Sequence, residues 1–412
     1  MFIIYNFLGL IITFLSPVII IYRILKGKED PIRFLERYCS YKESQKKIPL
    51  IWLHTASVGE MMSIIPILKR LENNKKVKRI LLTSTTTSSA NIFLKFKLKK
   101  TTHKYFPIDT NLFSNRFIKF WNPSLAIFVE SEIWPNMFKN LKKNKIPIIL
   151  INARITKESY NQWIKFKKFS KSIFSNISLA LPQNKETTKY LRSLGVKNIK
   201  FCGNLKYYDD KHQKVKKIFV KNKFKNYKIW CAASTHYNEE IVIGNIHKKL
   251  KKKIKNILTI IIPRHIKRSK DIENDLKKID LKVENHSQNK KILNNTDIYL
   301  VDSFGVNKFF YQLSNITFMG GSLIPHGGQN PLEPARLNNF IVHGNYIRNF
   351  KEVYSYLKRQ KISSMTNSSL NIEKIICKKI NRKAPSIAIK KINNLGDKIL
   401  KKNLEELNNF IK

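Results

Sequence analysis

Three groups of residues in this 412-residue chain have types and spacings that can do chemistry. In I-W-L-H-T-A-S-V-G-E, residues 51–60, Glu60 follows an apolar strand-like run and stands at a helix start. There the helix dipole favours its carboxylate, ready as a general base to take a proton from an acceptor hydroxyl. Gly59 removes bulk where a substrate must come close. Ser57 and Glu60 also satisfy S-x-x-E, so the same pair has a purely structural reading as a capping box. His54 is read as packed and hydrogen-bonded rather than catalytic.

The second group is F-V-E-S-E-I-W-P-N, residues 128–136, where a buried strand ends in two carboxylates two residues apart. If the strand continues, Glu130 and Glu132 share a face and need a cation or polar partner. Glu130 is the candidate for chemistry, Glu132 its support, and Lys206 in G-N-L-K the candidate cation. The third is F-M-G-G-S-L-I-P-H-G-G-Q-N-P-L-E-P-A, residues 318–335: a strand, a glycine-rich loop and a helix start. Gly327 and Gly328 let backbone approach a ligand. Asn330 reads as N-cap, Pro331 as first helical residue and Glu333 as third, which makes an anion site that suits a phosphate. Glu333 can take ribose hydroxyls or close back on the cap. Arg264, after Pro263 at the end of I-I-I-P, can grip a phosphate. In A-A-S-T-H-Y-N-E-E, residues 232–240, Ser234 or Thr235 is the expected helix cap.

These residues need a scaffold that brings strand ends together. Short apolar runs at Leu50–Leu53, Ile80–Thr83, Leu125–Val129, Pro147–Ile151, Ser178–Leu181 and Ile199–Cys202 mostly alternate with helical segments. After a charged linker at Lys211–Lys228 the alternation restarts at Ile229–Ala233, Ile257–Ile262, Ile298–Val301, Ile316–Met319 and Phe340–Val342. That is the pattern of two α/β, Rossmann-like, doubly wound parallel-sheet domains, 29–210 and 211–412, facing each other across a cleft. Ligands of such sheets bind beyond the carboxyl ends of the strands, where the candidate residues fall.

Residues Phe2 to Tyr22 carry no charge, and about 20 apolar residues span about 30 Å of hydrocarbon. Arg23, Lys26 and Lys28 follow, so residues 1–28 read as a single-pass membrane anchor with a cytoplasmic body. A signal peptide would place charges before the apolar run, and an interfacial helix would be apolar on one face only. The net charge is +50, from 78 basic and 28 acidic residues. Lysines spread along an Asn- and Ile-rich chain indicate codon drift, and no nucleic-acid motif accompanies them, so no nucleic-acid partner is expected. Four scattered cysteines without a C-x-x-C pair fit a reducing compartment. Walker A, H-E-x-x-H and G-x-S-x-G patterns are missing from the sequence, so the expected reaction is a transfer with neither metal nor cofactor.

Taken together, L-H-T-A-S-V-G-E, V-E-S-E-I-W-P-N, I-N-A-R, G-N-L-K, S-T-H-Y-N-E-E, P-R-H and G-G-S-L-I-P-H-G-G-Q-N-P-L-E closely resemble the 3-deoxy-D-manno-octulosonic acid (Kdo) transferases of Gram-negative bacteria. The resemblance implies a GT-B glycosyltransferase that moves Kdo from CMP-Kdo, a substrate, to the lipid A precursor (lipid IVA) at the inner membrane. It places Glu60 as proton acceptor, and Glu130 and Lys206 as stabilisers of the transition state. It assigns CMP binding to Pro263 and Arg264, to Phe304, Gly305 and Val306, and to Asn330, Pro331, Leu332 and Glu333. One departure is D-S-F-G-V-N, residues 302–307, where the family reads D-T-x-G-E-L: Val306 replaces a Glu, and weaker donor affinity is expected. The alternatives are another GT-B enzyme using a UDP-sugar, or a non-catalytic basic protein binding anionic lipid or RNA at the membrane.

Overall fold

The computed structural model describes residues 1–42, 48–209, 224–288 and 295–411. The chain forms two compact units, Met1–Asp209 with Leu395–Lys412, and Asp210–Asn394. In the first, strands β1 (Leu50–Thr55), β2 (Arg79–Ser84), β3 (Thr101–Tyr105), β4 (Leu125–Val129), β5 (Ile148–Ala153) and β6 (Leu179–Pro182) form one sheet. Its order is β3-β2-β1-β4-β5-β6 and every pairing is parallel. Strands β1, β4, β5 and β6 are buried along their whole length, as parallel strands covered by helices must be, and this is why they read as unbroken apolar runs. Their core includes Trp52, Phe117, Phe128, Phe138 and Phe174.

The second unit holds β7 (Lys228–Thr235), β8 (Ile257–Pro263), β9 (Val283–Asn285), β10 (Ile298–Leu300), β11 (Ile316–Met319), β12 (Phe340–His343) and β13 (Ser363–Met365). The order is β13-β12-β11-β7-β8-β10-β9, again all parallel. Each sheet reverses its winding once, between β1 and β4 in the first and between β7 and β11 in the second. At such a switch point neighbouring loops leave in opposite directions and open a crevice at the strands' carboxyl ends.

Two expectations are corrected, and a third falls largely outside the described residues. The run Ile199–Cys202 is not a strand: Ile199 makes only an isolated bridge to Ala180, and the chain turns off at Gly203. The last segment, Leu395–Lys412, clusters with the first unit rather than the second. The reason is packing: Ile399, Leu400 and Leu407 are buried, Lys200 pairs with Glu406 at 2.7 Å, and Gly203 makes room for Ile399. Of the expected linker, residues 211–223 lie outside the described residues, and Lys228 already opens β7.

Candidate active site

In the first unit, β1 runs into the helix Val58–Asn73, capped by Ser57, whose Oγ accepts from Glu60 N–H at 3.3 Å. Glu60 turns back so that its Oε2 accepts from Ala56 N–H at 2.6 Å. The capping and the catalytic readings therefore coexist: one oxygen fixes the carboxylate at the helix start, and Oε1 accepts no hydrogen bond among the described residues. Burial pushes the Glu60 carboxyl from its usual 4.5 up to about 7, the charges of Glu132 and Glu130 add to the rise, and the Ala56 N–H opposes it. A base held near neutrality exchanges protons efficiently at cellular pH.

Across the switch point, β4 stops at Val129 and Glu130 takes a left-handed conformation, φ 55°. The strand does not continue, so the two carboxylates do not share a face. Glu132 goes to His54 Nε2 at 3.2 Å and Trp134 Nε1 at 3.0 Å, which leaves His54 fully buried between Glu132 and Thr83. Glu130 is buried and meets Lys206 Nζ at 2.6 Å. A non-glycine residue at positive φ costs on the order of 1 kcal/mol, and here that strain turns the carboxylate away from Glu132 and toward a cation.

Asn152 was quoted in I-N-A-R without a role, yet it links these pieces. It too is left-handed, φ 50°, at a register shift near the end of β5. Its Nδ2 donates to Glu130 Oε1 at 3.3 Å, and its Oδ1 accepts from Leu205 N–H at 3.0 Å, in the 3-10 turn that carries Lys206. Asn204 Oδ1 also holds Lys206 N–H, at 2.9 Å. The readable signal was an asparagine at a strand end, the side chain that best tolerates this backbone. Asn152→Gly keeps the positive φ but strips Leu205 N–H of its partner. The expected cost is about 1–3 kcal/mol of stability, measured by thermal unfolding, with roughly tenfold slower turnover as Lys206 loses its tether; an unchanged rate would remove Asn152 from the site.

In the second unit the candidate residues follow three strands, β11, β8 and β10, which are neighbours in the sheet through β7. Phe304, Gly305 and Val306 follow β10; Pro263 ends β8 and Arg264 follows it; the glycine-rich loop follows β11, beside β7. Arg264 N–H donates to Thr235 O at 3.0 Å, joining the ends of β8 and β7. A Cβ on Gly320 would collide with the Ser234 carbonyl, so only glycine lets β11 close on β7. The buried Glu239 carboxylate gathers the loop, accepting N–H bonds from His236 (3.0 Å), Gly321 (2.7 Å), Ser322 and Leu323 (both 3.1 Å). Burial raises its pKa, and those N–H donors resist the rise. The His236 ring lies 4.0 Å from the His326 ring and 5.9 Å from that of His265. Burial, then the His326, His265 and Arg264 charges, push its pKa down to about 4.

Two local expectations change. The helix after β7 starts at Glu239 with Asn238 as N-cap and no side-chain cap bond, because β7 continues through Thr235; Ser234 and Thr235 do not cap it. The helix expected from Pro331 is Leu332–Arg336, only five residues, with Pro331 at the N-cap position. Asn330 Oδ1 still accepts from Leu332 N–H at 3.1 Å. Glu333 lies in the first turn, but so short a helix has little dipole. Phe304 is 87% exposed and Gly305 has open space around it, so backbone there is accessible to a ligand.

Residues 32–209 match the family model described as 3-Deoxy-D-manno-octulosonic-acid transferase (kdotransferase). The chain is 37% identical over 343 residues to the 3-deoxy-D-manno-octulosonic acid transferase of Rickettsia bellii (strain RML369-C), covering 82% of this chain and 81% of that one. It is 31% identical over 380 residues to the enzyme of the same name from Haemophilus influenzae, covering 90% and 88%. Among solved structures, a glycosyltransferase from Rickettsia africae ESF-5 aligns with TM-score 0.58 at 15% identity, covering 89% of this chain and all of that one. UDP-GlcNAc 2-epimerase from Neisseria meningitidis aligns with TM-score 0.58 at 12% identity, over 86% of this chain. At these identities the structures speak for the fold alone, the paired Rossmann-like units of GT-B enzymes.

Proposed function

This chain belongs to the 3-deoxy-D-manno-octulosonic acid transferase family and is a glycosyltransferase, and we propose that it moves Kdo from CMP-Kdo to the lipid A precursor, lipid IVA, in lipopolysaccharide core assembly. The observation that carries this reading is the Glu60 carboxylate at a helix start, held by one oxygen near neutral pKa across the switch point from the Glu130–Lys206 pair.

Glu60 takes the proton from a sugar hydroxyl of the acceptor as that oxygen attacks the anomeric carbon of Kdo. The bond to the phosphate oxygen breaks on the opposite face, so the configuration inverts and CMP leaves. Lys206, steadied by Glu130 and Asn152, neutralises a carboxylate or phosphate of the reacting donor. In the second unit Pro263, Arg264, Phe304, Gly305, Val306, Asn330, Pro331, Leu332 and Glu333 hold CMP. Arg264 stabilises the departing phosphate without a metal ion. The apolar helix Phe2–Leu25 keeps the enzyme at the inner membrane with its body on the cytoplasmic side.

Incubation with CMP-Kdo and lipid IVA, with products resolved by mass, is the direct test. Gain of Kdo on the lipid supports the reading; an unchanged lipid, with transfer from a UDP-sugar instead, would replace it. Val306→Glu restores a hydrogen-bonding group to the exposed loop after β10. One added bond of about 1 kcal/mol predicts three- to tenfold tighter CMP-Kdo binding, read by calorimetry.

A further inference from the structure

The helix Phe2–Leu25 is apolar enough to cross a membrane, but its contacts place it elsewhere. Near its start, Tyr5 Oη donates to Asp109 Oδ2 at 2.8 Å, and the Phe2 ring packs edge-on against Phe169 at 5.0 Å. Gly9 faces Thr110, close enough that a Cβ would touch it at 3.5 Å. Toward its other end Ser16 Oγ meets Tyr38 Oη at 2.7 Å, and Ile20 is buried. Positions 5, 9, 16 and 20 lie on one helical face, and all of it rests on the first unit. The opposite face, Ile3, Phe7, Leu10, Phe14, Val18 and Ile21, is more than half exposed at every one of these positions.

A helix that crosses the bilayer carries its far end about 30 Å from the body. Here both ends touch the same body. Exposed lysines also flank both ends: Lys26 and Lys28 after the helix, and Lys139, whose Nζ sits 4.9 Å from the Phe2 ring, before it. Lysines at both ends complement one layer of anionic head groups, not two layers separated by hydrocarbon. We propose that this helix lies in the plane of the membrane surface, its inner face docked on the first unit and its outer face in the acyl boundary of an anionic lipid leaflet. Its lack of a polar side follows: the face that would be polar in a free interfacial helix is covered by protein. The inference is independent of the sugar transferred.

The test uses full-length protein in vesicles containing phosphatidylglycerol. Cys39, Cys202 and Cys231 are buried and Cys377 is exposed, so a Cys377→Ser background accepts spin labels at Ile3→Cys, Leu10→Cys and Ile21→Cys, one at a time. Collision with oxygen and with a nickel chelate reports depth. An in-plane helix gives three equal depths, about 5–10 Å below the head groups. A deepest value at Leu10, with Ile3 and Ile21 near opposite surfaces, would show a spanning helix and overturn the proposal. Labels that stay out of lipid and broaden one another would assign the face to a second copy and overturn it equally.

Discussion

Glu60→Gln is expected to abolish sugar transfer while leaving the chain folded and able to bind its nucleotide. The amide keeps an oxygen to accept the Ala56 N–H at the helix start, so the local geometry survives, but it cannot take a proton. Loss of a general base lowers turnover by about 10²–10⁴. The pH dependence has a definite sign. Burial raises the Glu60 carboxyl from 4.5 to about 7, so wild-type rate should climb as pH rises through about 7 and the base is freed. Stability runs the other way. The folded chain holds this proton more tightly than the unfolded one, so the contribution is full below 4.5 and is lost as pH rises through about 7. At pH 8 wild type carries a penalty on the order of 1–3 kcal/mol for a desolvated carboxylate, which the amide avoids. Glu60→Gln should therefore melt at a higher temperature than wild type at pH 8 while transferring nothing. Normal turnover by the variant would remove Glu60 as base.

Lys206→Met should be nearly as damaging, by another route. The Lys206 and Glu130 side chains are 20% and 7% exposed, so the ammonium is the close counter-ion of a buried carboxylate. Removing one member of such a pair costs about 3–5 kcal/mol, because the remaining charge is stranded. Turnover should fall by at least 100-fold, on the order of the loss when a preorganised stabilising group is deleted. The unmasked Glu130 charge also acts on Glu60, whose carboxyl it already raises, so the acid limb of the residual rate should move to higher pH. The double variant Glu130→Gln/Lys206→Met separates structure from chemistry. It buries no lone charge and should regain most of the lost stability, but not the activity. Recovery of both would make the pair structural only.

The central strands were legible because parallel strands covered on both faces must be apolar throughout. The strand Thr101–Tyr105, T-T-H-K-Y, was not: at the sheet's edge its polar residues gain local partners, such as Ser84 on His103, that no periodicity announces. Val283–Asn285 and Ser363–Met365 are edge strands of three residues, too short to carry a pattern. In the candidate site, S-x-x-E exposed Glu60 because a helix start has a chemical grammar. Glu130 was found by its place after a strand, but its left-handed turn has no signature in a non-glycine residue, so Glu132 was drawn to the wrong side. Lys206 stood out among 78 basic residues only through G-N-L-K, although the strand expected before it is not formed. Asn152 was missed because its part depends on two partners 22 and 53 residues away, a relation that exists only after folding.

The return of the last segment to the first unit bears on how the protein is made. A ribosome finishes the six strands of that unit long before it reaches Leu395, and about 185 residues of the second unit, Asp210–Asn394, come between. At roughly 5–20 residues per second the nascent first half waits about 10–40 s with the seat of Ile399 and Leu407 bare. A stop codon just before Leu395 would spare every residue of both candidate sites and still yield a protein prone to aggregation, since the plug that seals its opening half is translated only after the second unit.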